Sequence, residues 1–144
     1  MMEYWNSGDG GMARRNVNRG YMKLTVWQDA IGFYSQTVSV FRNWPFEMKR
    51  VAGQQIASVD SIHRNIAEGY GRKSLKEYLQ FLNFALGSAA ESVSGLHAYR
   101  RSGQVTKDEF ESLDAQAYKI ENSLKRLIAS LQKKKEDGTW QDKF

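Results

Sequence analysis

Residues able to do chemistry are few in this chain. Its two histidines, His63 and His97, fall in different predicted helices without paired carboxylates close by in sequence. No HExxH or GxSxG spacing occurs. The absence of cysteine excludes a thiolate nucleophile, a disulfide framework and a Cys-ligated metal. Glu68 and Glu91 stand singly and read as helix-end or inter-helix polar contacts. The expectation is a protein with no enzymatic activity, no cofactor and no metal.

The stretch nearest to ligand chemistry is Gly69-Tyr70-Gly71-Arg72-Lys73-Ser74. It lacks P-loop spacing and follows a predicted helix rather than a strand, which argues against nucleotide binding. It does set Arg72 and Lys73 just before a helix start, where free amides and the helix dipole favour anions. Arg64 precedes the end of the previous helix by about one turn, and Lys49 and Arg50 lie at that helix's other end. With Tyr70 as a stacking ring, these six residues are the candidate nucleic-acid contacts, suited to backbone rather than base recognition. The competing reading is a solvated helix hairpin, since Ser74 and Glu77 claim the same amides.

Four helical segments must position these groups. The first spans about 24–42, with Trp27, Ala30, Tyr34, Val38 and Phe41 recurring on one face, and ends at Asn43-Trp44-Pro45. The second spans about 47–67, with Met48, Ala52, Val59, Ile62 and Ile66 on one side and Gly69 placed as a C-terminal cap. The third runs from Leu75 to Arg101 behind a Ser74–Glu77 capping box and stops at Gly103. The fourth opens with a Thr106–Glu109 capping box and carries Phe110, Leu113, Ala117, Ile120, Leu124, Leu127 and Leu131 in a heptad pattern. Residues 1–22 read as a disordered Gly-rich leader, with a basic arm as the alternative. Residues 133–144 read as a charged, frayed tail. Short connections make successive helices antiparallel neighbours. The fold class is all-α: an antiparallel up-down-up-down four-helix bundle over 23–132.

A chain of 144 residues with 41% hydrophobic residues and a single Pro supports one helical domain. Neither a signal-peptide core nor a membrane span is visible, and the chain reads as soluble and cytoplasmic. The formal charge of +5 is compatible with plain solubility or with an anionic partner such as RNA or DNA.

The third helix has two apolar stripes. Leu75, Leu79, Leu82, Leu86, Ala89, Val93 and Leu96 form the expected core face. Phe81, Phe84, Ser88, Gly95 and Tyr99 lie beside it. Val26, Phe33 and Val40 repeat this doubling on the first helix. A wide core face is one explanation. A subunit interface is the favoured one, with Phe81, Phe84, Ser88, Tyr99 and Phe33 as its residues.

Several runs bear a family resemblance. Leu24-Thr25-Val26-Trp27-Gln28 resembles an L-x-V-W-Q opening. Asn65-Ile66-Ala67-Glu68-Gly69, followed by Arg72, Ser74 and Glu77, resembles NIAEG-x-x-R-x-S-x-x-E. Phe81-Leu82-Asn83 with Ala85-Leu86-Gly87-Ser88 and Glu91 resembles FL-N-x-ALGS-x-x-E. Together, over about 24–131, these resemble the four-helix bundle proteins encoded by intervening sequences of 23S ribosomal RNA genes. The family often has Pro before the NIAEG run, where this chain has His63-Arg64. The resemblance implies a homopentamer without assigned enzymatic activity. Its signature falls on Asn65, Glu68, Gly69, Arg72, Ser74 and Glu77, which could equally be fold determinants. A structurally similar group, the accessory variability proteins of diversity-generating retroelements, are basic pentameric bundles that bind a reverse transcriptase and its RNA. The leading expectation is therefore an oligomeric, non-enzymatic bundle that binds nucleic acid, RNA favoured, through pooled basic surface. The alternative is a protein-interaction scaffold or accessory subunit of a reverse transcriptase.

Overall fold

The computed structural model of the chain describes residues 19–140. Four helices dominate: α1 (Thr25–Phe41), α2 (Lys49–Tyr70), α3 (Leu75–Arg101) and α4 (Lys107–Glu136), with short 3-10 turns at Gly20–Lys23 and Phe46–Met48. No strand occurs among the described residues. Each helix packs on its sequence neighbours and α1 closes against α4, so the four surround one core as a bundle. Among the described residues, no helix is long and apolar enough to cross a membrane.

The helix ends follow local chemistry. Ser74 Oγ accepts the Glu77 amide at 3.1 Å and donates to the Glu77 carboxylate at 3.1 Å, half of the expected capping box. Thr106 and Glu109 form the complete box. Gly103 ends α3 in the left-handed region at φ 74, a conformation that a Cβ would strain.

The core is centred differently from the sequence reading in three places. On α1 the buried stripe is Val26, Trp27, Ala30, Phe33, Thr37 and Phe41, while Tyr34 and Val38 sit at its margin. Thr37 tolerates burial by donating its hydroxyl to the Phe33 carbonyl at 2.7 Å. On α3, Tyr78, Ala85 and Ser92 are buried, and Leu86 and Val93 are only half-buried. On α4, Ile128 is buried rather than Leu127, because a straight helix drifts from a strict seven-residue repeat.

Gly69 is not a C-terminal cap. It lies inside α2, which continues to Tyr70, and is buried where α3 crosses. A Cβ there would stand 2.8 Å from Phe81 Cβ and 3.1 Å from the Tyr78 ring. The glycine permits close helix approach rather than a left-handed turn.

The chain ends are more structured than expected. Tyr21, within the expected leader, packs edge-on against Trp27 with centroids 5.4 Å apart. α4 continues to Glu136, and Trp140 reaches back to Tyr78 with centroids 6.5 Å apart. The remainder of the expected leader, residues 1–18, and residues 141–144 lie outside the described residues.

Candidate nucleic-acid interface

The six candidate contacts do not form one patch. Lys49 and Arg50 open α2, whereas Arg64, Tyr70, Arg72 and Lys73 lie towards or beyond its other end. The 22-residue helix is ~33 Å long, and even Arg64 stands ~21 Å along it from Arg50.

At the α2–α3 corner the cations are largely neutralised. Arg72 holds Glu68 through Nη2 at 2.8 Å and faces Glu77 through Nη1 at 3.7 Å. Its guanidinium lies 4.7 Å from the Phe81 ring centroid, and its Nε is buried without a hydrogen-bond partner. Arg64 Nε donates to Asp60 at 2.5 Å. Tyr70 is not an open stacking platform, since its ring meets Tyr21 and Tyr78 edge-on with centroids 6.4 and 5.9 Å apart. Burial, helped by the neighbouring Tyr70, pushes the Tyr78 hydroxyl up to about 12. Lys73 remains exposed. With Ser74 Oγ on the Glu77 amide and two carboxylates facing Arg72, a phosphate would meet competition for these donors, while Lys73 is exposed.

The family-signature residues interlock at this corner. Asn65 Nδ2 donates to the Ser61 carbonyl and hydroxyl at 2.9 Å each, and Ser61 Oγ bonds Ser88 Oγ across the helix pair at 2.9 Å. Glu68, Arg72, Glu77 and Ser74 form one polar chain beside the Gly69–Phe81 contact. Their geometry sets how α2 turns into α3.

His63 does have a carboxylate partner, contrary to the sequence reading. Its Nε2 lies 2.8 Å from Asp60 Oδ1, three residues earlier on α2. The i, i+3 and i, i+4 spacing of Asp60 to His63 and Arg64 was the available signal. Burial pushes the Asp60 carboxyl up, but hydrogen bonds from Arg64 and His63 outweigh it and hold it below its ordinary range. His97 is exposed and packs edge-on against Phe110 at 5.0 Å. No group of three metal-ligating side chains occurs among the described residues.

The five expected interface residues divide unequally. Phe33 has no exposed surface and belongs to the bundle's own core. Ser88 joins α3 to α2 through Ser61, and its carbonyl accepts Ser58 Oγ at 3.2 Å. Tyr99 packs on Phe41 and Trp44, with centroids 5.6 and 5.2 Å apart. Burial raises its hydroxyl pKa. Phe81 is half-buried over Gly69. Phe84 alone keeps a largely open ring, at 48% exposure. It continues into an outward face of Gly87, Ala90, Ser94 and Ala98, interrupted by the single charge of Glu91. The second apolar stripe is thus mostly spent inside the bundle, because α2 contributes hydroxyls and the contact glycine Gly69, and α1 with its following loop contributes aromatic rings, that meet it.

Free positive charge gathers at the opposite end. Phe41, Trp44 and Tyr99 pack together and tie the α1–α2 loop to the end of α3. This brings Arg42, Lys49 and Arg50 to the same end as Arg100 and Arg101. All five are exposed and none enters an ion pair among the described residues. The acids at this end include Glu47 before α2 and Asp108, Glu109 and Glu111 in the opening turns of α4, and Glu109 is committed to its capping box. Arg100 and Arg101 suit the negative end of the α3 dipole. Lys49 and Arg50 have no such structural reason. They occupy the positive end of α2, which has no side-chain cap and no acid in its first turn. Sequence reading missed Arg42, Arg100 and Arg101, although an up-down-up-down order already requires the end of α1 and the end of α3 to meet.

Comparison with known proteins agrees with the fold. No curated protein matches the chain. A crystal structure described as a protein with unknown function from the S23 ribosomal protein family of Bacteroides thetaiotaomicron VPI-5482 superposes with a TM-score of 0.68 at 25% identity, covering 72% of this chain and 95% of that one. The family model described as 23S rRNA-intervening sequence protein matches residues 22–126. That span takes in α1, α2, α3 and most of α4 together with the interlocked corner, and the chain belongs to the family of 23S rRNA-intervening sequence proteins.

Proposed function

We propose that this chain is a non-enzymatic, homo-oligomeric bundle protein that binds nucleic acid, RNA foremost, through the exposed cations at the Trp44–Tyr99 end. The observation that carries this reading is the exposed set Arg42, Lys49, Arg50, Arg100 and Arg101, none of which has an ion-pair partner among the described residues. Lys49 and Arg50 repel the uncapped α2 terminus, and a phosphate placed between them would satisfy both. Such contacts hold a nucleic-acid backbone without reading sequence.

The oligomer rests on Phe84 and the weakly charged outer face of α3, which suits a second copy better than water. The stoichiometry we propose is the pentamer that the family resemblance implies. Each added copy brings a further +5 into one shared field. A reducing, cytoplasmic setting fits a chain without cysteine.

Native mass spectrometry of protein purified without nuclease tests the reading. The expected species is an oligomer carrying RNA that added salt strips away. A monomer without nucleic acid, and without RNA affinity at low salt, contradicts it.

A further inference from the structure

Phe46 is the most exposed large hydrophobic side chain described, at 84% exposure. Its position follows from the loop geometry. Trp44, before Pro45, turns inward onto Phe41 and Tyr99, and Pro45 then starts the 3-10 turn Phe46–Met48 that leads into α2. Trp44 and Met48 are half-buried on either side, while the Phe46 ring stands in solvent. It makes no aromatic contact among the described residues.

The surroundings of that ring define what it fits. Lys49 and Arg50 follow it by three and four residues, and Arg42 precedes it by four, all exposed and unpaired. Arg100 and Arg101 come from α3 at the same end, held there by the Trp44–Tyr99 contact. An apolar docking partner would have to bury these cations. A polyanion with accessible flat apolar faces satisfies ring and charges together. Duplex nucleic acid covers its base faces by internal stacking, whereas a single strand leaves them open.

We propose that Phe46 is a base-stacking residue and that the preferred ligand is single-stranded nucleic acid. The cations hold phosphates while the ring takes a base. This deepens the nucleic-acid reading above and rests on it. Glu47, exposed next to Phe46 in the chain, carries a negative charge that opposes phosphate binding there.

Titration of the full chain with labelled oligouridylate and with an RNA duplex of equal length tests the assignment, using wild type, Phe46→Ala and Phe46→Trp. Loss of one base stack corresponds to roughly tenfold weaker binding. The expected result is that Phe46→Ala loses about this much for the single strand and little for the duplex, while Phe46→Trp retains single-strand binding. Unchanged single-strand affinity in Phe46→Ala overturns the stacking role but leaves the basic-end reading standing. Equal loss for both ligands, or a reduced native mass in Phe46→Ala, also overturns it, the latter by making Phe46 a subunit contact. Absence of binding to either RNA by wild type overturns the nucleic-acid reading and this inference with it.

Discussion

Trp44 and Tyr99 meet edge to face with ring centroids 5.2 Å apart and an interplanar angle of 83°. One belongs to the α1–α2 loop and the other to the last turns of α3. Their contact makes the distribution of charge at this end a property of the tertiary fold.

Replacing Trp44 by Ala removes half of that joint. A half-buried Trp is expected to cost about 2 kcal/mol, less than a fully buried ring. Urea unfolding measures this. A loss under ~0.5 kcal/mol, typical of surface sites, contradicts the packing role.

Gly69→Ala sets helix propensity against sterics. Alanine is favoured over glycine by ~1 kcal/mol inside a helix. Here the added Cβ would come 2.8 Å from Phe81 Cβ, a rigid atom. Overpacking is expected to win, with a net destabilisation of ~1–3 kcal/mol. A more stable variant in thermal or chemical unfolding would show that the α2–α3 corner has slack.

Asp60 links stability to pH. Its pKa is depressed in the folded chain despite opposing burial, so ionised Asp60 favours the folded state. Its contribution is present above the unfolded value of ~3.9 and is lost as pH falls through the folded value. Asp60→Asn should therefore be less stable than wild type near neutrality, with the difference shrinking below about pH 4. A pH-independent difference contradicts the pairing with Arg64 and His63.

Phe84→Asp places a charge on the open ring position of α3. Light scattering is expected to report smaller particles while the helical signal in circular dichroism is kept. Unchanged mass contradicts the proposed subunit contact on this face.

The legible and illegible features differ in physical range. Both ends of α3 were readable, because Ser74 and Gly103 act on their own backbone within a few residues. Gly69 was misread because a capping glycine and a contact glycine look identical until the partner helix, with Phe81, is in place. Phe33 was misplaced because α1 is apolar over a wide arc, and periodicity alone does not say which part of the arc faces inward. The corner cations could be recognised, but their neutralisation by Asp60, Glu68 and Glu77 depends on rotamers and helix crossing. The free cations were harder to see, since Arg42 and Arg100 are far apart in sequence: the helix order sets them at one end, but the aromatic joint that ties the α1–α2 loop to α3 appears only in the fold.

The salt dependence of RNA binding tests the central claim most directly, comparing wild type with Arg100→Ala/Arg101→Ala and with Arg72→Ala/Lys73→Ala. For a single strand, each lost phosphate contact lowers the slope of log affinity against log salt by about 0.7. The Arg100→Ala/Arg101→Ala protein should lose about 1.4 from that slope, while the corner variant changes much less. The reverse order, with the slope falling only in Arg72→Ala/Lys73→Ala, would place the phosphates at the α2–α3 corner and contradict the account.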